Sequence, residues 1–144
     1  YRKEVFKEQK FDENLLGYTV EKDIDFSYRL YQKYPTSLFI TPFAKIEHRG
    51  SQVERTPTEK MAYVNQVDHF YFFYKNMNNS SINNAKFVWS LFGIILLRTG
   101  KLIIRPNKTN YLKWKYFFDS LFYCIKNKVN IKKGKVREFT AYIN

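Results

Sequence analysis

"SLFITPFAKIEH", residues 37–48, decides whether this chain contains a sheet. "SLFIT" and "AKIEH" each read as a short strand, with Pro42 between them where no ladder donor is needed. Upstream, "DIDFSYRLYQKY" places Ile24, Tyr28 and Tyr31 at i, i+4 and i+7, with Leu30 and Tyr34 widening the stripe, which is helical spacing. Asp23 or Asp25 is placed to cap that helix, and Pro35 ends it. "RKEVFKEQ" has helical character too and runs into the loop "KFDENLLGYTVEK". Two short strands beside an amphipathic helix resemble the edge of a larger α/β sheet whose other strands are absent. The chain is accordingly expected to be the back half of a larger domain, and it begins at Tyr1 without a Met.

From Pro57 onward the pattern is helical. "PTEKMAYVNQVDHFYFFYKNM" carries a proline in its first turn and apolar residues throughout. "NNSSINN" is a polar linker. "AKFVWSLFGIILLRTGKLII" holds an apolar run from Phe87 to Leu97, shorter than the roughly 20 residues a spanning helix needs; reaching Ile104 means passing Arg98 and Lys101. A third helix covers "TNYLKWKYFFDSLFYCIKNKV", and "NIKKGKVREF" is a basic tail.

The 144 residues allow one domain with a modest core, and 44% hydrophobic content excludes compositional disorder. With 25 Lys and Arg against 13 acids, the net charge of +12 favours an anionic partner. Cys124 is the only cysteine, which rules out an intrachain disulfide and makes a reducing compartment the default. "YRKEVFKEQ" is charged and unlike a signal peptide. No Gly-rich phosphate loop, Ser/His/Asp order or Cys/His zinc spacing occurs. Aromatics are abundant at 19%, but they fall on helical stretches without a ribonucleoprotein or helix-turn-helix pattern, so nucleic acid is not an expected partner. His69, inside an aromatic helix, reads as a packing residue and Cys124 as a small buried hydrophobe. Locally, Asp23 and Asp25 are helix caps, a general base or metal ligands, while His48 is a surface residue, a metal ligand or, with Arg49 and Arg55, a phosphate contact.

Read in series, the first 55 residues resemble the C-terminal half of the catalytic domain of family 2 glycosyltransferases. The resemblance rests on Arg2 with Phe6, then "FDENL" (11–15), Gly17, "KDID" (22–25) with Arg29, the strand pair, and His48 with Ser51. It implies an α/β fragment: a partial GT-A, Rossmann-like catalytic half over 1–55, then a mostly α-helical extension over 56–144. It further implies an inverting, nucleotide-sugar-dependent sugar transfer to a saccharide or lipid-linked acceptor. Asp23 matches the general base. Asp25, Lys22 and Gly17 match acceptor-side or loop-orienting positions, Lys22 standing where the family has an acid. His48 matches a metal contact and Arg55 a weaker diphosphate contact. The cofactor implied is a divalent metal, Mg or Mn, held with an Asp-x-Asp motif in the preceding half; without that half the chain is expected to be inactive.

A second reading concerns the extension alone. From Lys108 onward nine Lys and Arg face only Asp119 and Glu138, a net of +7, and Trp89 and Trp114 stand among many Phe and Tyr. That suits an interfacial helix pair on an anionic, cytoplasmic leaflet, or a subunit-docking surface in a homo-oligomer.

Overall fold

In the computed structural model, residues 3–15, 20–36 and 57–136 are described, together with 38, 39, 41–43, 45 and 47. Among them, all regular structure is helical: α1 (Val5–Glu8), α2 (Val20–Lys33), α3 (Thr58–Asn76), α4 (Ser81–Ile104), α5 (Lys108–Lys126) and α6 (Lys128–Lys132). No strand occurs among the described residues. The α/β, Rossmann-like expectation is therefore corrected, and with it the resemblance to family 2 glycosyltransferases, whose GT-A fold is built on a sheet. The described residues of 37–48 lie outside regular structure, and Phe39 and Phe43 are 86% and 91% exposed. Two five-residue strands broken by Pro42 form at best an isolated hairpin, which is marginal in water without a third strand or a covering helix.

α3 is the axis of the fold. It is apolar around most of its circumference, and such a helix is stable only when surrounded. Ala62, Val64, Val67, Phe70, Tyr71 and Phe73 are all buried along it. α5 packs along α3 and contributes Phe117, Ser120 and Cys124, all fully buried. Residues from both ends of the chain meet in this core, where Leu15, Val67, Cys124, Ile131 and Val136 form one cluster.

α2 begins at Val20, ahead of both aspartates, so Asp23 and Asp25 lie inside the helix instead of capping it. Its packed face also differs from the Ile24–Tyr28–Tyr31 stripe. Phe26 and Leu30 are buried, while Ile24, Tyr31 and Tyr34 are exposed. The Phe26 ring stacks on Phe11 and Phe6, with centroids at 4.5 and 5.5 Å. That aromatic trio, with Gln9 Nε2 donating to the Phe26 carbonyl at 2.7 Å, sets the helix rotation.

α4 runs unbroken through Arg98 and Lys101, making 24 residues, about 36 Å at the α-helical rise. Ser80 caps it, its hydroxyl accepting from the Asn83 N–H, and Pro106 follows its end. Asn107 caps α5 in the same manner at 2.8 Å. α4 and α5 thus form a tight antiparallel hairpin, held near its turn by Trp114 Nε1 donating to Thr99 Oγ1 at 3.1 Å.

The described part of the basic tail, residues 130–136, is tied to the bundle. After α6, Gly134 turns the chain with φ +75°, which suits glycine and not an L side chain. The turn delivers Val136 to the core, fully buried. A Cβ on Gly134 would meet Asn14 Nδ2 at 3.2 Å and the Tyr71 hydroxyl at 3.4 Å. Gly134→Ala is expected to cost about 1–2 kcal/mol from the backbone conformation. A fall in the thermal unfolding midpoint checks this.

Candidate functional site

Of the six positions singled out in the first 55 residues, Gly17, His48 and Arg55 lie outside the described residues. Lys22 and Asp23 stand on the first turns of α2, Asp23 exposed and Lys22 half-buried. Asp25 is different. Its side chain is fully buried and fully engaged. Lys75 Nζ donates to its two oxygens at 2.8 and 3.0 Å, Asn76 Nδ2 to Oδ1 at 2.8 Å, and Arg29 Nε to Oδ2 at 2.9 Å. A general-base role for Asp23 is one local reading of the paired acids, and the glycosyltransferase resemblance assigned it to Asp23 in particular. In this fold the neighbouring acid, Asp25, is the one with structured partners.

Lys75 extends the network to Asp12. Its ammonium also donates to Asp12 Oδ2 at 2.6 Å, the Tyr71 hydroxyl donates to the same oxygen at 2.8 Å, and the Asn14 N–H to Oδ1 at 2.8 Å. Arg29 Nη2 reaches back to the Lys10 carbonyl at 2.8 Å. Two acids and two cations therefore close a neutral tie between the 10–14 loop, α2 and the C-terminal end of α3. Every oxygen of Asp12 and Asp25 has a donor. A carboxylate so saturated is a structural anchor, since binding substrate or accepting a proton would break bonds already made. Elsewhere on α2, burial pushes the Glu21 carboxyl above the usual range.

Burial opposes ionisation of Asp12, yet the bonds from Lys75, the Asn14 N–H and Tyr71 outweigh it and hold its pKa below the ordinary value. His69, stacked on Phe87 with centroids 5.3 Å apart, is also lowered, by burial. Both groups bind protons less readily folded than unfolded, so both contribute stability that is lost on acidification. The His69 contribution fades as pH falls below about 6.5 and the Asp12 contribution below about 4. Urea unfolding between pH 7 and pH 3 should show both limbs. Asp12→Asn should be less stable at pH 7 and should flatten only the lower limb.

The remaining titratable candidates are inert. Cys124 is fully buried, and burial, with the nearby Asp68, pushes its thiol up to about 12. No group of three or more His, Cys, Asp and Glu capable of holding a metal occurs among the described residues.

The surface feature that stands out is α4. None of its residues is buried. Val88, Phe92, Leu96 and Ile103 follow one another at i, i+4, i+8 and i+15 along one outward line, flanked by Ile82, Trp89, Leu97 and Ile104. All eight are exposed, Trp89, Leu97, Ile103 and Ile104 by 74–78%. The opposite side meets the bundle: Phe87 stacks on Phe73 at 4.1 Å, and Arg98 lies over the Phe117 ring at 5.0 Å. Sequence reading found the apolar run but not its direction. A helical wheel that asks which arc lacks charge shows it, since Lys86, Arg98 and Lys101 all lie off the outward line.

No known family, characterised protein or solved structure matches this chain.

Proposed function

We propose that this chain is a membrane-surface module that lays α4 into the interface of an anionic leaflet. The observation that carries the reading is the uncharged, solvent-facing apolar line of α4, on a helix with no buried residue. Soluble monomers rarely expose a continuous apolar strip of this length.

Charge supports lipid over a second copy of the chain. Residues 81–136 hold twelve Lys and Arg and a single acid, Asp119, a net of +11 out of +12 for the whole chain. Two such surfaces repel each other, whereas an anionic leaflet attracts each basic residue near it by about 1 kcal/mol. Lys101, Arg105 and Lys108 sit at the turn of the hairpin, and Lys126 and Lys128 at its other end, bracketing the apolar line.

α4 is long and apolar enough to cross a membrane by length and composition. Its neighbour favours an in-plane position. α5 packs antiparallel along the inner side of α4 and carries Lys113, Lys115 and Asp119, which a spanning α4 would draw into hydrocarbon at a cost of several kcal/mol. Lying flat, α4 immerses only its outward side chains while α3 and α5 stay in water.

The test is flotation with neutral phosphatidylcholine vesicles and with vesicles containing one third phosphatidylglycerol. Binding is expected to the anionic vesicles and to weaken between 50 and 500 mM salt, as screening requires. Absence of flotation with both compositions would overturn the reading.

A further inference from the structure

We propose that the cavity between α3, α4 and α5, beside the α4–α5 turn, holds the phosphate of a single anionic amphiphile. This deepens the membrane-surface reading, and it is tested independently of any bilayer.

The cavity has a volume of about 430 Å³, and its lining is divided by chemistry. Arg98, Lys101 and Lys113 bring three cations to it, and no acidic residue lines it. None of the three makes an ion pair among the described residues, although the chain has acids to spare for Lys75, Arg29 and Lys33. Three cations gathered without a counterion repel one another, and an anion placed among them relieves that repulsion. Arg98 is specifically unsatisfied. Its Nε is buried without a hydrogen-bond partner, and its only hydrogen bond among the described residues is a long one from Nη1 to the Lys113 carbonyl at 3.4 Å. Phe117 holds the guanidinium at the cavity wall, and its planar set of N–H donors suits an oxyanion.

The apolar part of the lining argues for a tail. Met61, Ile94 and Trp114 line the same cavity, and so does Leu97, which belongs also to the exposed apolar flank of α4. An acyl chain leaving the cations along Leu97 would continue onto the surface assigned to the leaflet. Asn65 and Asn110 line the same cavity and add neutral amides to its polar side.

The probes are monomeric dihexanoyl phosphatidic acid, dihexanoyl phosphatidylcholine and inorganic phosphate, each titrated below any aggregation threshold. Trp114 fluorescence reports binding in the Trp89→Phe background, where Trp114 is the remaining tryptophan. The phosphatidic acid should saturate the signal and bind at least tenfold more tightly than either other probe. Lys101→Gln/Lys113→Gln should weaken it at least tenfold while leaving the circular dichroism spectrum and unfolding midpoint in place. No saturable change, or equal affinity for the choline lipid, would overturn the proposal. Equal affinity for inorganic phosphate would overturn the amphiphile assignment, because the apolar lining would then contribute nothing. Vesicle flotation lost with monomer binding retained sinks the surface reading alone; the reverse sinks the cavity alone.

Discussion

Asp25→Ala should destabilise the fold by about 3 kcal/mol, the lower end of what breaking a buried charge pair costs. Asp25 is fully buried and takes hydrogen bonds from Lys75, Asn76 and Arg29. Its loss leaves Arg29 and Asn76 with donors facing a void. Lys75 keeps Asp12, which is why the low end of the range applies. Asp25→Asn retains the size and one acceptor oxygen but turns an oxygen into a donor facing other donors, so it should fall between Ala and wild type. Asp23→Ala, on an exposed first-turn acid, should cost no more than about 1 kcal/mol, its interaction with the helix dipole. Urea unfolding of the three variants separates the two aspartates. Equal effects at positions 23 and 25 would contradict the anchor role.

Leu96→Glu/Ile103→Glu should abolish flotation on anionic vesicles while leaving the fold unchanged. Both side chains are exposed, by 56% and 74%, and glutamate is a good helix former. Each substitution gives up roughly 1 kcal/mol of apolar burial in the interface. Each also sets a carboxylate against anionic lipid, at about 1 kcal/mol more. The pair therefore amounts to about 4 kcal/mol, on the order of a thousandfold in partitioning. Undiminished flotation of this variant would show that the basic residues alone bind the leaflet and that α4 stays out of it. Both positions lie outside the cavity lining, so the titration with monomeric phosphatidic acid should be unaffected.

Much of the helical part is legible in the amino-acid sequence. Pro57, Ser80, Asn107 and Pro106 sit at helix boundaries because proline and small polar residues act locally, through the backbone groups next to them. A sheet is not legible in this way. "SLFIT" and "AKIEH" have strand character, but a strand is a pairing and not a local property, and no partner among the described residues supplies one. The motif series that resembled a transferase failed for the same reason: "FDENL" and "KDID" carry acids at suggestive spacing, yet their roles depend on a distant residue. That residue is Lys75, 50 positions beyond Asp25, and no spacing within the first 55 residues announces it. The cavity shares this property, its three cations coming from two helices joined by a tight turn.

Composition and periodicity by themselves determined that the C-terminal two-thirds is helical, that nearly all the net positive charge lies between residues 81 and 136, and that Phe87–Leu97 is apolar. Only the tertiary structure decided which side of that apolar helix is covered. α3 takes its partners from α2, α5 and α6, and Phe87 and Arg98 turn α4's polar-tolerant side inward against Phe73 and Phe117. Hydrophobicity drives a side chain out of water without specifying what replaces the water. For α3 the replacement is the rest of the bundle; for the outward line of α4 the described residues offer nothing, and the basic residues around it suit the lipid surface proposed above.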